Sequence, residues 1–192
     1  MPRPKRVTDD EVLDAAISVL AERGMGAFTL SEIAAKAGLA RATLIQRFGD
    51  RDAILRLMAE HEVAATRHYL DSLPVEVGPR GLWRFIDEIV RSMGPGDGFA
   101  VRVAIAAMEA REPELRALAG QRYALVQDAM AARIPEHPDR QEIARTLHAV
   151  IAGATMQWVA SEHPDLTAYV LDQIARALRR IFPELDPSNP AT

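Results

Sequence analysis

Apolar residues recur every three to four positions along most of the chain, which is the spacing of one face of an α-helix. In the first such segment Val12, Ala16 and Val19 share a face. Thr8 and Glu11 open this segment with the spacing of a capping box, in which each side chain bonds the other residue's backbone N–H. The pattern predicts an N-terminal helix that begins just after Thr8.

Three further helical patterns follow this first one, and the first two of them are short. The pattern that opens at Thr29 is only two turns long. The next runs from about residue 41 to 48 and places Leu44 and Phe48 on its inner face, and another starts after Asp50. Three or four helices are therefore expected to begin within the first sixty residues.

Beyond residue 74, segments with helical spacing alternate with short stretches rich in proline and glycine. No stretch alternates apolar with polar residues in the manner of a strand, so we expect no sheet. The chain is predicted to be all-α, with about nine helices in total and a disordered tail at residues 184–192. The later helices are expected near residues 80–93, 99–110, 114–133, 139–161 and 166–182.

The composition narrows the possible classes of protein. The 192 residues are 48% hydrophobic, enough for a sizeable core, and include no cysteine, which excludes disulfides and thiolate chemistry. The basic N-terminus, MPRPKRVTDDE, has no apolar segment behind it and does not resemble a secretory signal. The most apolar stretch, residues 147–160, is interrupted by His148 and Gln157 and is too short to cross a membrane. We expect a cytoplasmic protein with no membrane partner.

The two short helices between residues 30 and 48 have the dimensions of a helix-turn-helix. The unit consists of a two-turn helix, a turn containing Gly38 and a second short helix, and the first helix of the chain braces it. This geometry allows the second short helix to enter the DNA major groove. Arg, Thr and Gln side chains bond to base edges or phosphates, and small or apolar groups tolerate a thymine methyl. With Leu44 and Phe48 facing inward, the outward residues are Arg41, Ala42, Thr43, Ile45, Gln46 and Arg47.

Charge is divided unevenly along the chain, whose formal net charge is −4. Residues 1–51 hold eight Lys or Arg against seven Asp or Glu, whereas residues 52–192 hold fifteen against twenty. In the first part the acids lie mostly on the first helix, and the cations lie around the outward residues and in an arm with Arg3, Lys5 and Arg6. A positive face for DNA can therefore exist on an acidic protein, although for the arm cations taken alone an ordinary solvated surface is the favoured interpretation.

Over residues 29–55, TLSEIAAKAGLARATLIQRFGDRDAIL, the sequence resembles the helix-turn-helix of the tetracycline-repressor (TetR) family of bacterial transcription regulators. The resemblance implies a three-helix DNA-binding domain at residues 1–50 and a helical ligand-binding and dimerisation domain at residues 51–183. It also implies double-stranded operator DNA as a partner. The residues that stand where family members touch DNA are Thr29, Arg41, Thr43, Ile45, Gln46, Arg47 and Arg51.

Three positions depart from the family pattern. Ala40 replaces the serine that usually caps the DNA-reading helix, which should cost about 1 kcal/mol of local stability. Ile45 replaces a tyrosine that often reaches phosphate, and Arg47 replaces a histidine or tyrosine. We therefore expect phosphate binding to depend more heavily on Arg47 and Arg51.

The last two predicted helices are apolar on more than one stripe, so each must bury a second face in its own domain or against a partner. The residues alone leave both arrangements open. The family resemblance implies the second one, in which these helices pair with those of another copy as a four-helix bundle. The expected homodimer interface contains Ala149, Gly153, Met156, Leu171 and Ala175.

Aromatic and methionine residues are spread between the DNA-binding module and the last helices. An apolar cavity with a few polar groups is the usual form of a small-molecule site, but each of these residues could instead belong to the core. The resemblance implies a pocket for a small-molecule effector, and the scarcity of charge predicts an apolar or aromatic one. The expected lining is Met58, His61, Tyr69, Trp83, Phe85, Met93, Phe99, Met108, Tyr123, Gln127 and Trp158.

No pattern in the sequence indicates an enzyme. The five histidines lack the His-x-x-x-His spacing, GPGDG at residues 94–98 lacks the Lys-Ser/Thr of a phosphate loop, and G-x-S-x-G does not occur. We expect no catalytic residue, no metal and no cofactor. The predicted function is a homodimeric repressor that binds a pseudo-palindromic operator and is released by its effector; the alternatives are an activator of the same fold or a small helical enzyme.

Overall fold

The computed structural model describes residues 7–24, 26, 28–94, 96 and 98–183, and these residues form nine helices and no strand. The predicted all-α fold is therefore confirmed. The basic arm with Arg3, Lys5 and Arg6, and the tail predicted at residues 184–192, lie outside the described residues. The helices are α1 (Asp9–Arg23), α2 (Leu30–Lys36), α3 (Arg41–Phe48), α4 (Arg51–Ser72), α5 (Pro79–Ser92), α6 (Phe99–Glu109), α7 (Pro113–Ala131), α8 (Arg140–Trp158) and α9 (Leu166–Ile181).

Hydrogen-bonding side chains start the first two helices. The capping box predicted for α1 is complete, because Glu11 N donates to Thr8 Oγ1 at 3.1 Å and Thr8 N donates to Glu11 Oε2 at 2.8 Å. At α2 only half of the motif forms: Glu32 N donates to Thr29 Oγ1 at 3.2 Å, while the Glu32 carboxylate accepts a hydrogen bond from Arg23. Glu32 thus ties α2 to the end of α1 instead of closing the box.

The chain divides into two compact units. The first contains the described residues up to Ala65 together with Gly98–Gln121, and the second contains those of Thr66–Asp97 and those from Arg122 onward. Helix α6 and the beginning of α7 therefore belong to the same unit as α1–α3. This division concerns packing; the functional boundary at residue 50 stays a prediction.

The core of the first unit is built from the inner faces of the N-terminal helices. Val12, Ile33, Leu44 and Ile54 are completely buried, and Phe48 is buried beside them. The inward orientation predicted for Leu44 and Phe48 is confirmed. Because α3 is only eight residues long, it depends on packing for stability, and these two side chains anchor it in the core that α1 and α2 share.

The core of the second unit includes the inner stripes of α5, α8 and α9. Leu82, Ile86, Leu147 and Ile174 are completely buried within it. Helix α8 ends at Trp158, three residues before the predicted end at residue 161. The chain turns there because Ser161 N donates to the Trp158 carbonyl at 2.9 Å, and Trp158 Nε1 donates to the His163 carbonyl at 2.8 Å.

A buried guanidinium holds the loop that follows α4. Arg133 is 2% exposed, and it donates from Nη1 to the Ala129 carbonyl at 2.7 Å and from Nη2 to the carbonyls of Leu73 and Pro74 at 3.2 and 2.6 Å. Its guanidinium carbon lies 3.8 Å from the centre of the Phe85 ring. Burial lowers the pKa of Arg133. A cation at the ends of α4 and α7 also interacts favourably with both helix dipoles.

Candidate DNA-binding site

The turn between α2 and α3 depends on one glycine. Gly38 has φ +68°, a conformation that residues with a Cβ rarely adopt. The turn is closed by two backbone bonds, from Gly38 N to the Ala35 carbonyl at 3.2 Å and from Leu39 N to the Ala34 carbonyl at 2.8 Å. These bonds satisfy carbonyls at the end of α2 and direct the chain into α3.

Helix α3 has one buried edge and one exposed face. The predicted outward residues Arg41, Ala42, Ile45, Gln46 and Arg47 are exposed, with Ile45 at 38%. The sixth, Thr43, is only half-buried. The helix-turn-helix therefore brings this set together on a single short helix. No side chain caps the first turn of α3, as expected from alanine at position 40.

The exposed face of α3 begins with an unpaired cation. Arg41 forms no hydrogen bond or ion pair with any other described residue, so its guanidinium is available to a partner. Lys36, at the end of α2, is instead 2.6 Å from Glu22 Oε1. The hydrogen bond from Lys36 lowers the pKa of Glu22, and Ser18 adds to this effect. Thr29, the other predicted contact on this side, is exposed while its hydroxyl caps α2.

Arg47 is engaged within the protein. Its Nη1 donates to the Val7 carbonyl at 2.9 Å, and its Nη2 donates to a carboxylate oxygen of Asp9. The guanidinium carbon also lies 5.2 Å from the centre of the Phe48 ring. These contacts join the last turn of α3 to the start of α1.

Arg51 is engaged in the same manner at the start of α4. Its Nε donates to the Phe28 carbonyl at 2.9 Å, its guanidinium carbon lies 5.6 Å from the Phe28 ring centre, and Nη1 is 3.5 Å from Asp52 Oδ1. Sequence reasoning placed Arg47 and Arg51 near DNA but missed these protein partners. The partners of the main hydrogen bonds lie 23 to 40 residues away, and helical spacing carries no information about them.

A charged cleft in the first unit was not expected from the sequence. It lies between the start of α4 and the start of α7, and Arg56 Nη1 is 2.9 Å from Glu114 Oε2 at its edge. The hydrogen bond that Arg56 donates to Glu114 raises the pKa of Arg56. Asp50, Asp52 and Glu112 also line the cleft, so acids outnumber bases there.

The predicted effector-pocket residues are divided between the two compact units. Several of them, including Phe85 and Phe99, are buried core residues, whereas Tyr123 is 48% exposed. The Tyr69 hydroxyl is buried and has no hydrogen-bond partner among the described residues. The first unit contains Met58, His61, Phe99 and Met108, and the second contains Tyr69, Trp83, Phe85, Met93, Tyr123, Gln127 and Trp158.

A histidine that sequence reasoning left unassigned joins two of these residues in the second unit. Gln127 Nε2 lies 3.2 Å from His148 Nδ1, and the rings of Tyr123 and His148 meet edge to face with centroids 5.2 Å apart. Burial lowers the pKa of His148, because the charged imidazolium is poorly solvated there. A cluster of Tyr123, Gln127 and His148 therefore links α7 to α8.

The residues predicted for a homodimer interface lie on accessible parts of α8 and α9. Ala149 is exposed and Met156 is 55% exposed, while Gly153, Leu171 and Ala175 are partly exposed. A Cβ added to Gly153 would meet nothing within 4 Å. The second apolar face of these helices is therefore not covered by the described part of the chain.

Two kinds of feature are absent from the described residues. No helix among them is long and apolar enough to cross a membrane. They also contain no group of three or more His, Cys, Asp or Glu arranged to hold a metal ion.

Family models match both parts of the chain. The model described as bacterial regulatory proteins, tetR family, matches residues 12–58, and the model described as tetracyclin repressor-like, C-terminal domain, matches residues 77–184. A curated relative, the uncharacterized HTH-type transcriptional regulator YvdT of Bacillus subtilis (strain 168), is 29% identical over 91 residues. That match covers 47% of this chain and 45% of the relative, so it spans less than half of either protein.

Solved structures share the fold at low sequence identity. A TetR transcription regulator from Haloarcula marismortui ATCC 43049 superposes with a TM-score of 0.76 at 15% identity, covering 89% of this chain and 96% of that one. The transcriptional regulator FadR from Bacillus subtilis, in complex with stearoyl-CoA, superposes with a TM-score of 0.66 at 17% identity, covering 89% and 98%. At such identities the likeness shows the fold alone.

Proposed function

This chain belongs to the TetR family of bacterial regulatory proteins, whose members are DNA-binding transcription regulators and not enzymes, and we propose that it is a cytoplasmic homodimeric repressor. In this proposal the dimer binds a pseudo-palindromic operator, and a small apolar or aromatic effector releases it. Residues 1–50 act as the DNA-binding domain and residues 51–183 as the effector-binding and dimerisation domain.

The observation that carries the proposal is the exposed face of α3. Arg41 is exposed without a partner among the described residues and Gln46 is exposed five residues further on, while the buried Leu44 holds the helix in place. An arginine matches the two acceptors of guanine and a glutamine matches the donor–acceptor pair of adenine. We propose base contacts by Arg41 and Gln46, with Ala42, Thr43 and Ile45 packing beside them and Thr29 at the DNA backbone.

The accessible face of α8 and α9 supports the homodimer. An exposed methionine, alanines and a glycine on adjacent helices allow close approach of another pair of helices, and burying them removes apolar surface from water. A two-fold dimer carries two copies of α3, which then reach two half-sites related by the same symmetry. This is why the proposed operator is pseudo-palindromic.

The proposed effector site is supported by polar groups of the second unit that could bond a ligand. The buried Tyr69 hydroxyl without a partner is a group that a ligand could satisfy, and the pair of Gln127 and His148 offers another polar contact. FadR, which shares the fold, was solved in complex with stearoyl-CoA, a ligand that joins a long alkyl chain to a charged coenzyme A group. These two polar contacts, beside the apolar and aromatic residues of the predicted lining, favour an effector that is mostly apolar or aromatic and carries one or more polar groups.

Release by the effector requires two states of the protein with different ligand affinities. A coupling of about 1–3 kcal/mol would weaken operator binding about 5- to 150-fold, and operator would weaken effector binding by the same factor. A thermal-shift screen of apolar and aromatic compounds, followed by operator titration with each hit, measures this coupling. Hits that stabilise the protein without changing operator affinity would argue against release.

The DNA-binding part of the proposal is tested by selecting bound fragments from random duplex DNA with the purified protein. We expect an enriched motif with two related halves, at a spacing of about one helical turn or a multiple of it. An asymmetric motif would argue against the dimer, and the absence of enrichment would overturn the proposed function. A reporter gene placed behind the selected motif then separates repression from activation.

A further inference from the structure

Ile45 is an exposed apolar side chain on the face of α3 that we assign to DNA. It is 38% exposed, and no other large hydrophobic side chain among the described residues of the first unit is as exposed. The other two bulky apolar residues of α3, Leu44 and Phe48, are buried in the core of that unit, and Ile45 is not part of that core. The apolar surface of Ile45 is therefore available to a partner.

Ile45 shares one side of α3 with Arg41. The two residues are four positions apart, a spacing that places side chains one above the other on a helix, and the later side chain leans towards the earlier one. On the other side of the exposed face, Arg47 is bonded to Val7 and Asp9. The side that carries Ile45 and the unpaired Arg41 is thus not occupied by bonds to α1.

The chemistry of an isoleucine allows only one kind of contact in the major groove. Its side chain has no hydrogen-bond donor, no acceptor and no charge, so Ile45 can bond neither a phosphate nor the polar edge of a base. The apolar group that base pairs present in the major groove is the C5 methyl of thymine. Because a β-branched side chain is restricted at χ1 in a helix, Ile45 loses little conformational freedom when it packs against such a methyl.

We propose that Ile45 is a specificity-determining residue, which reads the C5 methyl of a thymine within two base pairs of the base that Arg41 reads. Residues four apart on a helix are separated by about 6 Å along its axis, and successive bases of one strand by about 3.4 Å. The contact favours thymine over cytosine, which has no methyl at C5. This inference deepens the proposed DNA binding by α3 and rests on it.

Replacement of thymine by deoxyuridine tests the inference, because it removes the methyl and leaves the charge and the base-pairing groups unchanged. In the operator selected by the unmodified protein, each thymine is replaced one position at a time, at the equivalent place in both half-sites. Burial of one methyl contributes about 3- to 4-fold in affinity, so the loss at the position read by Ile45 should be about 10-fold for both half-sites.

The position of the sensitive thymine is part of the test. It should lie within two base pairs of the position at which Arg41→Ala loses its base preference. Sensitivity to the methyl at no thymine of the operator, or only at more distant thymines, would overturn the inference.

Ile45→Ala assigns the methyl contact to this side chain. The variant should bind the thymine operator more weakly than the unmodified protein does, and deoxyuridine at the sensitive position should then cause little further loss, because both changes remove the same contact. Ile45→Val, which keeps the β-branch, should show an intermediate loss. An equal deoxyuridine effect in Ile45→Ala and the unmodified protein would mean that another side chain reads the methyl, and the inference would be wrong.

Val77→Ala is the matched control, because Val77 is an exposed apolar residue in the loop between α4 and α5. It should change neither the operator affinity nor the deoxyuridine effect. If it reduced the deoxyuridine effect as much as Ile45→Ala, the response would not be specific to α3 and the inference would fail. Thermal unfolding shows that each variant is folded. Failure of the proposed function is recognised separately, because the unmodified protein would then select no operator.

Discussion

Arg51 Nε donates a 2.9 Å hydrogen bond to the backbone carbonyl of Phe28. Arg51 is the first residue of α4, and Phe28 is a buried residue that directly precedes Thr29, the N-cap of α2. The start of the long helix is thus bonded to the segment that enters the helix-turn-helix. A displacement of this end of α4 would act directly on the position of α2.

We expect Arg51→Ala to reduce both stability and operator affinity. The substitution removes a charged, partly buried hydrogen bond and the contact with the Phe28 ring, which together should lower the free energy of unfolding by about 1–2 kcal/mol. Urea unfolding followed by circular dichroism measures this change, and titration with operator measures the affinity.

Arg41→Ala is the matched comparison for this prediction. Arg41 is exposed and has no protein partner among the described residues, so its loss should weaken operator binding and leave the free energy of unfolding within about 0.5 kcal/mol. If both variants lost affinity and neither lost stability, the bond to Phe28 would not contribute to the free energy of unfolding, and Arg51 would act as a simple DNA contact.

Arg133→Met should destabilise the second unit strongly. The variant leaves three carbonyls, those of Ala129, Leu73 and Pro74, without the donor that they share. Unsatisfied buried polar groups cost about 1–3 kcal/mol each, so the loss should exceed about 3 kcal/mol. Arg84→Met, an exposed position on α5, serves as the control. Equal unfolding midpoints for the two variants would show that the carbonyls find other donors.

Stability should fall on mild acidification because of His148. Its pKa is lowered by burial in the folded protein, so the unfolded chain takes up the proton first as the pH decreases. The contribution of His148 to stability is complete above the ordinary histidine pKa of about 6.5 and decreases as the pH falls through that value towards the lower folded pKa. His148→Gln, which can still bond Gln127, should weaken this dependence between neutral pH and about pH 5.

His68→Gln provides the control, since His68 is exposed on α4. Urea unfolding at a series of pH values measures the free energy of unfolding of each protein. The prediction is wrong if His68→Gln and His148→Gln reduce the pH dependence equally, or if the unmodified protein becomes more stable as the pH is lowered through this range.

A charge on the accessible face of α8 should prevent dimer formation. Ala149→Glu and Met156→Glu each place a carboxylate where another apolar helix is proposed to pack, and an unpaired buried charge costs several kcal/mol. Light scattering should report a smaller particle and operator affinity should fall, although no DNA contact is altered. Ala64→Glu, at an exposed position of α4, should change neither property. An unchanged particle size for the α8 variants would place the interface elsewhere.

Periodicity predicted the helices well because each one buries an apolar stripe. The burial of Leu44 and Phe48 and the capping of α1 by Thr8 follow from spacings of three or four residues, which the sequence displays directly. The bonds of Arg47 and Arg51 could not be predicted in this way. Their partners are brought close by tertiary packing, and two of them are backbone carbonyls that every residue type provides.

The end of α8 and the group around His148 were missed for the same reason. Helical spacing continues past Trp158, but a side-chain bond from its indole to the His163 carbonyl accompanies a turn there. No other histidine is spaced from His148 as a pair of metal ligands on one helix would be, so nothing in the sequence singled it out. Gln127 comes close to His148 only because α7 packs beside α8. Local patterns thus predicted the DNA-reading face and left the contacts between distant helices undetermined.

The most direct measurement of the central claim is a repeat of the fragment selection with Arg41→Ala and Gln46→Ala beside the unmodified protein. If α3 reads bases with these side chains, each variant should lose preference at one position in each half-site, at a cost of about 1–3 kcal/mol for the preferred base, and keep the rest of the motif. Arg67→Ala, on the exposed side of α4, should return the original motif. Identical motifs from all four proteins would contradict the assignment of α3 as the DNA-reading helix.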